Sequence, residues 1–258
     1  RFWDWEQYKP RFSNSWDEYR NSIWHRVGYV NWGYEAIGRF QNWEQIANYP
    51  IDNDRKGNRT VVPGDIMYKD QNNDGVINYL DERPIGYRVD STPTLNFGIN
   101  LSASWKGFDL AMDWTGSGMT SWNQCYETAR PFQNDGNSPD EVLKDAWHLS
   151  DIWDANSPLI PGKYPMIRLN TDETSAYDKS SYWLHNVTYL KLRNLEVGYT
   201  FPKTWLNKTG ISNLRLFVSG TNLLTLSNLS VMDPECASDN GLDYPPMRVI
   251  NIGVNLKF

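Results

Sequence analysis

The chain has 258 residues, a formal net charge of −6 and an isoelectric point near 5.1. Nucleic acid, held by clustered Lys and Arg, is thereby excluded as a partner. Hydrophobic residues make up 40% and mean hydropathy is −0.65; no run nears the ~18 apolar residues of a membrane helix, which excludes helical spans but not a membrane barrel, whose strands face lipid at every second position. The 13 Trp and 15 Tyr suit the interfacial girdles of such a barrel, stacking platforms for a ligand, or a Trp-rich soluble core.

In chain order, the first 60 residues are the least regular. "IWHRVGYVNWGY" carries one expected strand whose phase is obscured by its aromatics and by Gly33 and Gly38, and "NWEQIANY" reads as a short helix. "DQNNDGVINYLD" then places Asp70, Asn72, Asp74, Gly75, Val76, Asn78 and Asp81 at positions 1, 3, 5, 6, 7, 9 and 12 of a calcium loop. Alternate oxygen side chains and the Val76 carbonyl converge on one point, and Gly75 allows the bend. Asp81 stands where Glu is usual, and flanking helices are absent. The competing reading is an Asn/Asp-rich turn whose side chains cap their own backbone.

Strict alternation begins at Leu95. Leu95, Phe97, Ile99, Leu101, Ala103 and Trp105 share one face, and Asn96, Gly98, Asn100, Ser102 and Ser104 share the other. After Lys106-Gly107 the pattern resumes with Phe108, Leu110, Met112 and Trp114 against Asp109, Ala111 and Asp113, which predicts a hairpin. A third strand runs from about Tyr189 to Phe201, where the apolar phase changes between Leu192 and Leu195 and predicts a bulge near Arg193 and Asn194. The segment 202–212 turns the chain. Leu214, Leu216 and Val218 return it, with Arg215 and Ser219 on the polar side, and "VINIGVNLKF" closes it with Ile250, Ile252, Val254, Leu256 and Phe258 alternating with small or polar residues.

Short turns therefore alternate with long connections, 120–181 and 227–246, as periplasmic turns and extracellular loops do in an outer-membrane barrel. Cys125 and Cys236 fit neither a zinc site nor a redox pair, and both fall in the long loops, so a bridge between them is an expectation. The loops also hold Trp122, Tyr126, Trp147, Trp153, Tyr164, Tyr177, Tyr182 and Trp183, which suit sugar rings or a protein interface; Trp122 and Trp147 are the expected substrate contacts. Asp140, Glu141, Asp145 and Asp151 near Trp147 raise a glycosidase reading. They lie in one loop with no strand-end scaffold, and His25, His148 and His185 form no triad or metal spacing. No catalytic residue is assigned and the chain is not read as an enzyme.

The terminal "NIGVNLKF", through Asn251, Gly253, Leu256 and Phe258, resembles the signal by which outer-membrane proteins are recognised for barrel assembly. Together with "VPGDIMYKDQNNDGVINYLDERPIG", "TPTLNFGINLSASWKGFDLAM", "YLKLRNLEVGYTFPKTWL", "ISNLRLFVSGTNLLTL" and "YPPMRVINIGVNLKF", it resembles the C-terminal part of SusC-like TonB-dependent transporters of the Bacteroidetes, over roughly residues 28–258. The resemblance implies an all-β fold, the C-terminal strands of a barrel of about 22 strands with long extracellular loops. Residues 1–94 are then an extracellular loop region holding the 70–81 calcium loop, and residues 95–258 carry the membrane strands with loops 120–181 and 227–246. It implies a C-terminal fragment that needs the N-terminal remainder, plug and other strands, to close. It also implies a multi-pass outer-membrane location in contact with membrane lipid, a SusD-like surface lipoprotein as lid, TonB as the energy link, and import of an oligosaccharide or, alternatively, a peptide; structural Ca2+ is expected from the spacing of the 70–81 loop, and no organic cofactor is expected. A soluble calcium-dependent carbohydrate-binding β-sandwich, with the apolar faces turned inward, is the other alternative.

Overall fold

A computed structural model of the chain describes every residue except 1, 4–10, 23–25, 28–29, 89–91, 170–172, 208–209, 237–239 and 242. The chain forms two compact units, interleaved in sequence: Arg1–Thr92 with Ser121–Asn186 and Ser238–Gly241, and Pro93–Thr120 with Val187–Ala237 and Leu242–Phe258. Segment 121–186 groups with the first segment, and its aromatics complete a core begun there.

In the first unit, β1 (Val30–Gly33) pairs with β4 (Arg83–Arg88), and β2 (Ala36–Arg39) pairs with β3 (Ile66–Tyr68), all antiparallel. The expected short helix is present at Trp43–Ala47, and the Asn42 side chain accepts from the Gln45 N–H at its start. His25 and part of the expected strand at 23–34 lie outside the described residues. The core gathers Tyr34, Ile66, Tyr68 and Ile77 from the first segment with Val142, Tyr164, Tyr177 and Trp183 from the second. Trp183 is its centre: Tyr177 and Tyr164 stack on it with centroids at 5.6 and 6.1 Å, and Tyr182 meets it edge-on at 4.8 Å. Its indole N–H donates to the Ala176 carbonyl at 2.8 Å, which satisfies the one polar atom this burial would strand.

The second unit is an antiparallel meander of five strands in sequence order: β5 (Leu95–Trp105), β6 (Phe108–Asn123), β7 (Leu184–Thr200), β8 (Asn213–Ser227) and β9 (Val249–Lys257). Lys106 (φ 45°) and Gly107 (φ 90°) both lie in the left-handed region, as a two-residue turn matched to strand twist requires. Strands β6 and β7 run further than their apolar alternation indicated, through polar residues such as Thr120, Ser121 and Asn186. The ladder slips between Leu192 and Asn194, where the bulge was expected. The extra residue, however, is on the partner strand: Asn222 and Leu223 face the single Arg193, and Asn222 takes φ 53°.

The registers carry each face across the sheet. Leu101 pairs with Met112, Val197 with Val218 and that in turn with Ile252, and Tyr199 with Leu216 and that in turn with Val254; on the reverse, Asn100 pairs with Asp113, Ser104 with Asp109, and Glu196 with Ser219, which pairs with Asn251. The apolar set is not sealed inside: Ile250, Ile252, Val254 and Phe258 are 66, 83, 53 and 84% exposed. That is the opposite of what a soluble sandwich demands, since apolar burial is what would hold it together. The sheet is open, with β5 and β9 at its edges.

Candidate functional site

The polar face of the sheet is organised by two charge networks. In the first, Arg215 of β8 donates from Nε to Asp109 of β6 at 3.1 Å and from Nη2 to Glu196 of β7 at 2.6 Å, and Nη2 also pairs with Asp109. One guanidinium thereby ties three strands together, and its planar fork suits two carboxylates as an ammonium would not. Gly198 makes the room: a Cβ there would lie 2.4 Å from Arg215 Nη2 and 2.6 Å from Asp109 Oδ2. Further along, the Asn194 amide donates to Asp113 at 3.2 Å and the Ser117 hydroxyl to Asn96 at 2.5 Å. Asn96, Asp109, Asp113 and Arg215 were legible as polar-face residues from alternation. Glu196 was missed, although it occupies the polar phase between Leu195 and Val197.

The second network holds a loop. Lys191, 1% exposed, donates to Asp233 at 2.8 Å and to Glu235 at 2.8 Å; Glu235 is also engaged by Arg193 and by the Tyr189 hydroxyl at 3.1 Å. Two cations meet two carboxylates, so the buried lysine charge is compensated, as its burial demands. Sequence spacing could not reveal this, because the partners lie some forty positions apart on a loop without periodicity.

Aromatics gather where the turns are short. Phe108 and Tyr199 lie 4.6 Å apart, Tyr199 and Phe201 5.0 Å, Phe201 and Trp205 6.0 Å, and the Lys106 ammonium sits 4.8 Å above the Trp105 ring. Such a cluster of half-exposed rings beside an apolar strand band is the make-up of an interfacial girdle.

The 70–81 loop closes on itself. Asp70 accepts from the Asn73 and Gly75 N–H groups at 2.7 and 2.8 Å, Asn72 from Asp74 at 3.0 Å, and Asp74 from Val76 at 2.9 Å. The bound N–H groups hold the Asp74 carboxyl below the usual carboxylate range, Val76 first and Asn72 next. Gly75 has φ 85°. Asp74 Oδ2 accepts from both the Asn72 and Asn78 amides, at 2.8 and 3.4 Å, so the carboxylate of position 5 and the side chains of positions 3 and 9 do converge. Asp81 departs from the expected role. It is fully buried, accepting from Gln71 at 2.8 Å and Asn78 at 2.9 Å, while Asn78 Oδ1 caps the following turn. The Val76 carbonyl also accepts from the Asn78 amide, at 3.1 Å, so these oxygens serve the loop's own N–H groups, as in the competing reading of a self-capping turn; Asp70, Asn72, Asp74 and the Val76 carbonyl are those it could offer a cation, and no cluster of three or more acidic, His or Cys side chains stands at metal-binding distance among the described residues.

Other expected sites are placed differently. Trp122 stacks on His185 at 5.7 Å and Trp147 packs on Gly64; at 6 and 4% exposure both are part of the protein's own packing rather than open platforms. Their large apolar rings, read from sequence as ligand faces, are what the loop unit needs to bury. Tyr164, Tyr177 and Trp183 share that fate, whereas Trp153, 91% exposed, and Tyr126 stay open. No disulfide joins Cys125 and Cys236. Burial and then Asp233 raise the pKa of the Cys236 thiol, which disfavours the thiolate that oxidation requires. Asp140 pairs with Lys144 and Asp145 accepts from the Lys163 N–H, so these carboxylates of the glycosidase reading serve local structure. Asn251, Gly253 and Leu256 pair with Ser219, Phe217 and Leu214 on an edge strand whose other side is open.

No protein-family profile matches the chain. Among curated proteins it is 30% identical over 243 residues to the TonB-dependent receptor P3 of Formosa agariphila, covering 87% of this chain and 22% of that protein. It is 26% identical over 241 residues to receptor P26 of the same bacterium, covering 88% and 22%, and 24% identical over 252 residues to the TonB-dependent receptor SusC of Bacteroides thetaiotaomicron, covering 91% and 20%. Among solved structures, the RagAB peptide transporter aligns with a TM-score of 0.56 at 21% identity, over 89% of this chain and 22% of that one. The RagAB importer in its "closed-closed" state gives 0.57 at 22%, over 90% and 24%. The chain spans about a fifth of the length of these relatives, and the likeness in structure is one of fold: a run of transporter barrel strands with its loops.

Proposed function

We propose, from the premise that this chain is SusC-like and related to TonB-dependent receptors over 87 to 91% of its length, that it is part of an outer-membrane barrel importing a bulky nutrient. One observation carries the reading. The five-stranded sheet leaves a continuous apolar face exposed while its reverse carries Asn96, Asn100, Asp109, Asp113, Glu196 and Arg215. In water that arrangement would be an aggregation hazard; between acyl chains and a wet lumen it is what a barrel wall needs. Lipid meets the first face and the transported ligand passes the second. Strands outside this chain complete the barrel at the β5 and β9 edges, where Asn251, Gly253, Leu256 and Phe258 serve as the assembly signal. A SusD-like lipoprotein lids the loops, and TonB acts through another region of the transporter.

For the ligand, acceptor-rich walls of Asn, Ser and carboxylate suit the hydroxyl groups of an oligosaccharide, and Trp153 and Tyr126 remain open for stacking. A peptide ligand is the second reading, favoured by the likeness to RagAB, whose name is that of a peptide transporter. Calcium held by Asp70, Asn72, Asp74 and the Val76 carbonyl would stiffen the loop that also seats Ile77 in the core. The testing experiment is purification of the full transporter from outer membranes in detergent, with mass spectrometry of what accompanies it. A lipoprotein and a bound glycan support the first reading, a bound peptide supports the second, and recovery as a soluble protein without detergent contradicts both.

A further inference from the structure

Trp153 is 91% exposed, more than any other large apolar side chain among the described residues, and Ile152 beside it is 73% exposed. Both stand at the tip of a hairpin in the loop unit, whose two-residue strands His148–Leu149 and Leu159–Ile160 pair antiparallel. The tip is tightly bonded within itself. The Ser150 N–H donates to the Pro158 carbonyl at 2.9 Å, and the Asp154 and Ser157 N–H groups donate to the carbonyls of Asp151 and Asp154 at 3.2 and 3.0 Å. The carboxylates of Asp151 and Asp154 accept from the Trp153 and Asn156 N–H groups, each at 2.9 Å, and the Ser157 hydroxyl donates to the Asp151 carbonyl at 2.9 Å. The backbone that carries the indole is therefore ordered before a partner arrives, which lowers the entropy lost on binding.

Ile152 is also a wall of an open cavity of about 510 Å³, formed with Leu143, Leu149, Met166 and Ile167. A knob and a hole thus lie side by side on one apolar patch. A small ligand is held by a concave site that buries most of its surface, and a projecting indole cannot do that. The shape calls for a macromolecule that supplies the concave half. Charge narrows the choice. Asp151 and Asp154 flank Ile152 and Trp153, both exposed, and from Asp145 to Gly162 the chain has three carboxylates and no Lys or Arg. Such a rim repels nucleic acid and anionic membrane surfaces and matches a protein slot edged with Lys or Arg.

We propose that the 148–160 hairpin is a docking finger for a protein. Ile152 and Trp153 enter an apolar slot rimmed by Lys or Arg, and the partner returns an apolar side chain into the cavity. The partner, a point that rests on the import reading, is the lipoprotein that lids the loops. A Trp seated in a dry pocket is the kind of residue that dominates the energy of an interface, and carboxylates at the rim speed the encounter.

The test uses the full transporter in detergent, with the lipoprotein that accompanies it separated and added back as the probe. Trp153→Ser should weaken that binding by about thirtyfold or more and leave thermal unfolding unchanged, because the ring is exposed. Leu143→Arg, at an exposed position of the cavity wall, should weaken it about tenfold by blocking the hole and opposing the basic rim. Asp151→Asn with Asp154→Asn keeps the acceptors of the turn and should slow association several-fold and flatten its salt dependence. In cells, Trp153→p-benzoylphenylalanine should crosslink to a lipoprotein peptide that carries apolar residues beside Lys or Arg. Unchanged lipoprotein binding in Trp153→Ser, loss of a glycan or peptide ligand in its place, or a crosslink to another part of the transporter would each overturn the finger and leave the import reading standing. A transporter that carries no lipoprotein would overturn both the lid and the finger.

Discussion

The two units of this chain bury hydrophobic surface in opposite ways. The loop unit seals Tyr34, Tyr68, Tyr164, Tyr177 and Trp183 within itself and satisfies two of them from its own backbone, the Tyr68 hydroxyl donating to the Ser175 carbonyl at 2.7 Å and the Trp183 indole to the Ala176 carbonyl at 2.8 Å. The sheet unit turns its apolar residues outward and keeps its ion networks on the reverse. One region therefore carries its own stability in water, while the other relies on its surroundings to cover it. A single chain is fitted to two solvents, and the difference predicts where mutations act.

The largest effect is expected in the loop core. Trp183→Ala should cost about 3–5 kcal/mol and open the loop unit to protease while barrel strands stay protected; equal loss of protection in both would break the comparison. On the sheet, Lys191→Met leaves partly buried Asp233 without its cation and Glu235 with Arg193 alone. It should cost about 3 kcal/mol, the low end for a broken buried pair because both acids keep some exposure, and should release the 228–236 loop to hydrogen exchange. Ile252→Arg should cost about 2 kcal/mol in a bilayer, although a soluble sheet would tolerate Arg at so exposed a position with little change.

Acid separates the units next. Burial acts to raise the Asp54 pKa, but N–H and hydroxyl donation from Thr60 and N–H donation from Lys56 and Asn58 win and lower it. A carboxyl whose folded pKa is depressed contributes stability that is complete above its ordinary value of about 3.9 and is lost as pH falls through the folded value. The loop unit should melt at lower temperature in that acid window, and Asp54→Asn should remove this part of the pH dependence. The smallest effect belongs to calcium. Adding Ca2+ to chelator-treated transporter should slow proteolysis within 70–81 and leave the strands unchanged; identical cleavage with and without the ion would remove metal from the account.

The sheet was largely legible because period-two alternation is a local signal: β5, β8 and β9 appear from residues two apart, and even the ladder slip near Arg193 shows as a change of phase. The strand to which the extra residue belongs did not, since it depends on pairing with Asn222 and Leu223. In the loop unit, composition misled. Trp122, Trp147 and Trp183 carry no mark in sequence that tells a stacking platform from a core ring, because the distinction is made by tertiary packing, for Trp122 and Trp147 against the distant His185 and Gly64. Charge networks were legible by halves. Asp109 and Arg215 declare the polar face, but that they bond each other, over Gly198, follows only from register.

The central claim is that the odd and even residues of β9 meet different media. Nitroxide labels placed singly at positions 249–257 of the full transporter in lipid bilayers report this through their accessibility to dissolved oxygen and to a water-soluble nickel chelate. The account predicts oxygen access at 250, 252, 254 and 256 and chelate access at 251, 253 and 255. Chelate access at every position, or the reverse alternation, would contradict it.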